Sequence, residues 1–324
     1  MSSKVAEAEE CIREAEKWYV FAGGIRIFIS YFMTITSLKT SMFKWKPDYD
    51  SAANAYQKAA TAYKAAKLLD KCLDYNVKAG ECFQKNRQYY SAAKCYEQVA
   101  MICGKEKNDW ENAVKFFEKA CALFREHGIP DTAALSLERG AKMLQNPLPE
   151  KAAEFYLLAA EVAMIENKSH QAAEFCSNAA RLFLKLKKYE DAIDALNKQL
   201  GLLSEAESSR PCGRLVVCLV LVHLTREDFV AAQKAFNDGK CYVEDDEIYT
   251  MTQLLNGFDN MDSKQIISAL DHPFIKSLDN EVTKLARSIQ QKHGAMVQST
   301  PVHGASYANE TTNSTYEDEA GAMM

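Results

Sequence analysis

The strongest constraint on this chain is a stretch that keeps returning. Tyr49–Lys67 reads YDSAANAYQKAATAYKAAK, and variants of it begin at Tyr89, Trp110, Pro149, Ser169 and Tyr189. Aligned on a small residue near each start, the copies place Ala52, Ala92, Ala113, Ala152, Ala172 and Ala192 in one column. Four positions on stand Tyr56, Tyr96, Phe117, Tyr156, Cys176 and Leu196, and eight on stand Ala60, Ala100, Cys121, Ala160, Ala180 and Leu200. Eleven on stand Tyr63, Cys103, Phe124, Ala163, Phe183 and Leu203. An apolar track at i, i+4, i+8 and i+11 is one face of an α-helix. Small residues alternating with large ones on that face let neighbouring helices seat closely. Helices recurring about every 20 residues make hairpins of about 40, the size of two-helix repeat units.

Such units stack, each touching only its neighbours, so the length of the body is not capped by one globular core. The expectation is an all-α, right-handed superhelix of antiparallel hairpins, a TPR-like α-solenoid, over residues 49–210. A more globular helical bundle is expected over 211–292, opened by the very apolar RLVVCLVLVHL (214–224) after a polar break at 204–213. His223 on that helix reads as a core histidine with one hydrogen bond. DFVAAQKAFNDG (228–239) is a last copy, and a helical pair broken at Pro273 follows. Residues 293–324, rich in Ser, Thr, Asn and Gly, read as a disordered tail. Two N-x-[ST] sequons in it, at Asn309 and Asn313, read as chance.

At the other end, residues 1–18 form a charged amphipathic helix with no secretory pattern. Residues 19–48 hold an apolar insertion, IFISYFMTITSL at its centre, too short to span a bilayer. It reads either as a loop insertion or as a segment that dips into a membrane interface. Phe43-Lys44-Trp45-Lys46 closes it. Aromatic rings among lysines suit an anionic membrane surface, and they equally suit the end of a first helix layer.

The 10 cysteines form no C-x-x-C pair and read as buried, reduced thiols. A net charge of −5 argues against a dedicated nucleic-acid binder. No phosphate-binding glycine loop, nucleophile elbow or metal-binding histidine motif occurs, so neither a cofactor nor enzymatic activity is expected. What the architecture offers is a long concave surface. Its candidate basic residues are Lys94, Lys115, Lys119, Arg139, Lys142 and Arg181. Singly these are ordinary solvated side chains; collected in a stripe they would steer an acidic partner. A generic repeat scaffold binding peptides remains the alternative.

Four phrases are more specific: FKWKPDYDSAANAYQKAA, PDTAALSLERGAKML, LVHLTREDFVAAQ and HPFIKSLDNE. Through them the chain resembles the gamma branch of the soluble NSF attachment protein (SNAP) family, from about Phe43 to Ile289. The resemblance implies a cytosolic adaptor on the cytoplasmic face of endomembranes, in vesicle transport of the ER–Golgi kind. It implies that the curved face grips the assembled SNARE four-helix bundle with its syntaxin-type chains. It implies that an N-terminal loop, here Phe43 and Trp45 with Lys44 and Lys46, touches membrane. It further implies that the AAA ATPase NSF is recruited by the C-terminal helices, at the helix holding Leu278, Glu281, Leu285 and Ile289. The chain departs from the alpha form at Leu135, where that form has a lysine, and in the insertion at Tyr19–Leu38, which the family pattern lacks.

Overall fold

The computed structural model describes residues 49–299. The expected N-terminal helix, the insertion and the residues from 300 onward lie outside that span. Among the described residues every regular element is helical: fourteen α-helices and one short 3-10 turn. They are α1 (Tyr49–Ala65), α2 (Leu69–Lys85), α3 (Tyr89–Lys107), α4 (Trp110–Glu126), α5 (Pro130–Leu144), α6 (Pro149–Ile165), α7 (Ser169–Lys185) and α8 (Tyr189–Glu205). Then follow α9 (Ser209–Thr225), α10 (Phe229–Gly239), the 3-10 turn Lys240–Tyr242, α11 (Asp245–Asp259), α12 (Ser263–Leu270), α13 (Pro273–Lys276) and α14 (Asn280–Ser299).

From α1 to α9 each helix packs on the next, and α3 also touches α5. The chain therefore zigzags, with odd-numbered helices in one layer and even-numbered helices in the other. The aligned alanines explain the tightness of this stack. Ala52, Ala92, Ala113, Ala152, Ala172 and Ala192 are all 0% exposed. The large residues of the track fill the space between them: Tyr96, Phe117, Tyr156 and Phe124 are fully buried. Tyr56 and Leu200, in the first and last copies, are the two track residues left partly exposed. A Cβ placed on Gly80 of α2 would stand 2.9 Å from the Tyr96 ring, so that ring lies directly on backbone.

The turns repeat as well. Lys67, Arg87, Asn108, Gly128, Asn167, Lys187, Glu207 and Glu227 all have positive φ. Each follows a helix C-terminus, where a left-handed residue lets the next N–H fold back onto a carbonyl five residues earlier. Leu68, Ile129, Lys168, Lys188 and Ser208 donate in this way to Tyr63, Phe124, Ala163, Phe183 and Leu203 at 2.9–3.1 Å. The acceptors are the last residues of the apolar track, so one column both buries a side chain and closes a turn. The α5–α6 turn is different, and Pro147 stands there instead.

Side-chain capping contributes little. Among the helix starts, Asp109, Asp228, Asp262, His272 and Asp279 accept from their helix's own backbone. Elsewhere the residues before the helices reach back one hairpin instead: Lys168 to Asp131, and Lys188 to Glu150. Each acid lies in the first turn of its helix, where the backbone dipole favours negative charge.

The C-terminal part departs from this regularity. The expected break at 204–213 is shorter in the structure, because α9 already begins at Ser209. Pro211 is no obstacle, since a proline in the first turn gives up no intrahelical hydrogen bond. Helix α9 is buried nearly all round, from Leu215 to Val222. It packs against α8, α10, the 3-10 turn and α14. Gly213 permits the closest approach: a Cβ there would stand 2.4 Å from the Tyr242 carbonyl oxygen. Helix α14 turns back across α12, α9 and α7. It runs on through Ser299, past the boundary expected at residue 292. His293 holds the extension, with its ring edge-on to Phe258 at 5.2 Å and its Nδ1 3.3 Å from the Ser263 hydroxyl.

Two single-residue expectations come out differently. His223 is partly exposed, and its Nδ1 is buried with no hydrogen-bond partner among the described residues. Burial holds that imidazole below its ordinary pKa. Eight described cysteines are buried free thiols as expected, whereas Cys241 is exposed.

Candidate functional site

The repeat brings a polar cluster together on the odd-numbered layer. Glu97 of α3 projects there with a side chain only 9% exposed. Its Oε2 accepts from Lys94 Nζ at 2.8 Å and its Oε1 from Arg139 Nη1 at 2.8 Å. Desolvation raises the pKa of this carboxyl, but the two hydrogen bonds and the paired charges outweigh it and hold the group below its ordinary value. Lys94 also lies 5.4 Å from the centre of the Phe124 ring. The cluster borders a cavity of about 500 Å³ walled by Lys64, Asn76, Glu97, Gln98, Met101 and Arg139, among others. Asn76 at its base donates to the Cys72 carbonyl at 3.0 Å.

Of the other candidate basic residues, Lys142 pairs with Glu138 on the same helix, α5. On α7, Arg181 Nε donates to Asp279 Oδ2 at 3.0 Å. Lys142 and Arg181 both act electrostatically on the Tyr156 phenol, whose oxygen accepts from Gln145 at 2.8 Å. Lys94, Arg139, Lys142 and Arg181 thus follow one another along α3, α5 and α7. Lys115 and Lys119 do not join them, because they sit on α4 in the even-numbered layer. Lys119 instead covers the Tyr96 ring, with Nζ 4.0 Å from the centroid. Burial pushes that phenol up to about 12.

Every aligned basic residue is therefore already matched by an acid of the same chain. The organiser of the cluster, Glu97, was not among the expected residues. The Lys94-x-x-Glu97 spacing was a visible signal for half of it. The partner on α5 was not visible, because it depends on how one hairpin rotates against the next.

At the C-terminal end the residues named by resemblance divide. Leu278, Leu285 and Ile289 are 9%, 8% and 5% exposed. Their side chains belong to the core, so that set is corrected here: burial leaves them no surface to offer. Glu281 is partly buried and accepts from Lys284 at 2.7 Å. Lys284, Arg287, Ser288, Gln291 and Lys292 are among the residues that α14 presents outward. Phe43, Lys44, Trp45 and Lys46 lie outside the described residues. No helix among the described residues is long and apolar enough to cross a membrane.

Comparison with known proteins identifies a family and several relatives. The family described as "Soluble NSF attachment protein, SNAP" matches residues 6–292. The chain is 28% identical over 254 residues to the gamma-soluble NSF attachment protein of Dictyostelium discoideum, covering 78% of each. It is 22% identical over 254 residues to the protein of the same name from Arabidopsis thaliana, covering 78% of this chain and 87% of that one. Among solved structures it aligns with a signal-transduction ATPase from Pyrococcus horikoshii that has a tetratricopeptide repeat sensor. That match has a TM-score of 0.34 and 15% identity, and covers 78% of this chain and 37% of the other.

Proposed function

This chain belongs to the soluble NSF attachment protein family, and we propose that it is a non-catalytic adaptor joining an assembled SNARE bundle to the ATPase NSF. The observation that carries the reading is the row of cations on the odd-numbered layer. Lys94, Arg139, Lys142 and Arg181 run across successive hairpins, as recognition of an elongated acidic partner requires. The even-numbered layer carries Lys115 and Lys119 and is not part of the row. A pull-down on assembled SNARE bundles with NSF and non-hydrolysable ATP tests the proposal. A ternary complex that needs this chain is expected, and its absence on every SNARE set ends the reading.

In the same proposal, Phe43 and Trp45, flanked by Lys44 and Lys46, meet the membrane on the cytoplasmic side. Liposome flotation of a Phe43→Ser, Trp45→Ser variant should fall; unchanged flotation removes that role. The ATPase contact is assigned to two outward cations of α14, Lys284 and Arg287, because Val282, Leu285, Ala286 and Ile289 of that helix are buried. The peptide-clamp alternative fits less well. A clamp needs an asparagine amide free to hold a carboxylate, and the buried Asn76 amide nitrogen donates to both the carbonyl and the Sγ of Cys72, at 3.0 and 3.4 Å.

A further inference from the structure

One acid on the basic row stands apart from the others. If the row only attracted an acidic partner, a carboxylate shared between two of its cations would weaken it. Yet Glu97 stands there, and it is no stray surface acid. Its side chain is 9% exposed, and both of its oxygens are occupied. Burying a carboxylate is costly unless its hydrogen bonds are made, and here two cations make them.

The two cations come from different places. Lys94 is one turn away on α3, while Arg139 arrives from α5, 42 residues further on. Glu97 therefore spans the seam between successive hairpins. Each cation commits a single N–H to it. A lysine then keeps two donors and an arginine four, and the trio keeps a net positive charge. Lys94 is 32% exposed and Arg139 54%, so those remaining donors can be reached from solvent.

We propose that Glu97 is a positioning residue: it fixes Lys94 and Arg139 at a set spacing across the α3–α5 seam, so that a carboxylate-bearing helix bundle meets both cations already in place. This inference rests on the adaptor reading above. Long basic side chains lose rotamer freedom when a partner immobilises them, and that loss lowers affinity. Tethering to Glu97 moves the loss to folding. The cost is one unit of positive charge on the face. Positioning and attraction thus make opposite predictions for the same substitution.

The test uses the full chain, as wild type, Glu97→Gln and Arg139→Lys, binding an assembled SNARE bundle at low and at physiological salt. Glu97→Gln makes the face more positive, so attraction alone predicts tighter binding and a steeper salt dependence. Positioning predicts about tenfold weaker binding, seen as faster dissociation. Arg139→Lys keeps the charge but loses the planar fork, and should weaken binding in the same way. Thermal unfolding checks that each variant is folded, and if Glu97→Gln is not, Arg139→Lys carries the test. A folded variant of either kind that binds as tightly as wild type, or more tightly, overturns the inference and leaves the adaptor reading intact. Failure of wild type to bind any bundle overturns that reading and the inference together.

Discussion

The two halves of this molecule bury their helices by different rules. In α1–α8 each helix leans on its sequence neighbours through alanines that are 0% exposed, and the same turn closes hairpin after hairpin. In α9–α14 a single helix is buried nearly all round, and its cover comes not only from its sequence neighbours α8 and α10 but also from α14, far along the chain. The first design is a sum of local units, in which damage stays near its source. The second is a joint, and it has to form or fail as a whole. Close approach shows the same contrast. In the first half Gly80 faces the end of an aromatic side chain, whereas in the second Gly213 faces backbone, which has less room to give.

Substitutions in the two halves should break or sharpen this difference. The largest effect is expected in the joint. Leu221 is 0% exposed, so Leu221→Ala should cost about 2–5 kcal/mol in urea unfolding. Hydrogen exchange should rise across α9–α14 together; a rise confined to α9 would refute the joint. A smaller loss is expected in the stack. Ala172→Leu overfills a position that is 0% exposed and should cost about 1–3 kcal/mol. Faster exchange should then be limited to α6–α8, and its spread to α14 would erase the distinction between the halves. The smallest effect has the opposite sign. Lys187 holds a φ of 60°, where a side chain is unfavourable, so Lys187→Gly should stabilise by up to about 1 kcal/mol. A destabilised variant would show that the lysine side chain, and not the turn, matters there.

Much of the stack could be read in the sequence, because its burial pattern is local. The aligned alanine column lies fully inside, as its spacing required. The turns were harder to see. Their left-handed positions hold Lys67, Arg87, Lys187, Glu207 and Glu227, none of them a residue that announces a turn; Asn108, Gly128 and Asn167 do so. The joint was legible only in part. An all-round apolar α9 demands cover, but nothing in RLVVCLVLVHL says that α14, with Leu285 and Ile289 buried on it, supplies some of it. The resemblance offers those two residues to a partner, whereas the fold keeps them inside. The candidate site divides in the same way: its lysines and arginines were visible as types, and the buried acid that groups two of them was not.

The Arg181–Asp279 contact links residues 98 positions apart, one on α7 and the other just before α14. It lies where the stack and the joint meet. Together with the packing of α14 on α7 and α9, it gives the molecule a load path. A tug on the last helix arrives at the twelfth, the ninth and, at the end of the cationic row, the seventh, before any of it reaches the hairpins nearer the N-terminus.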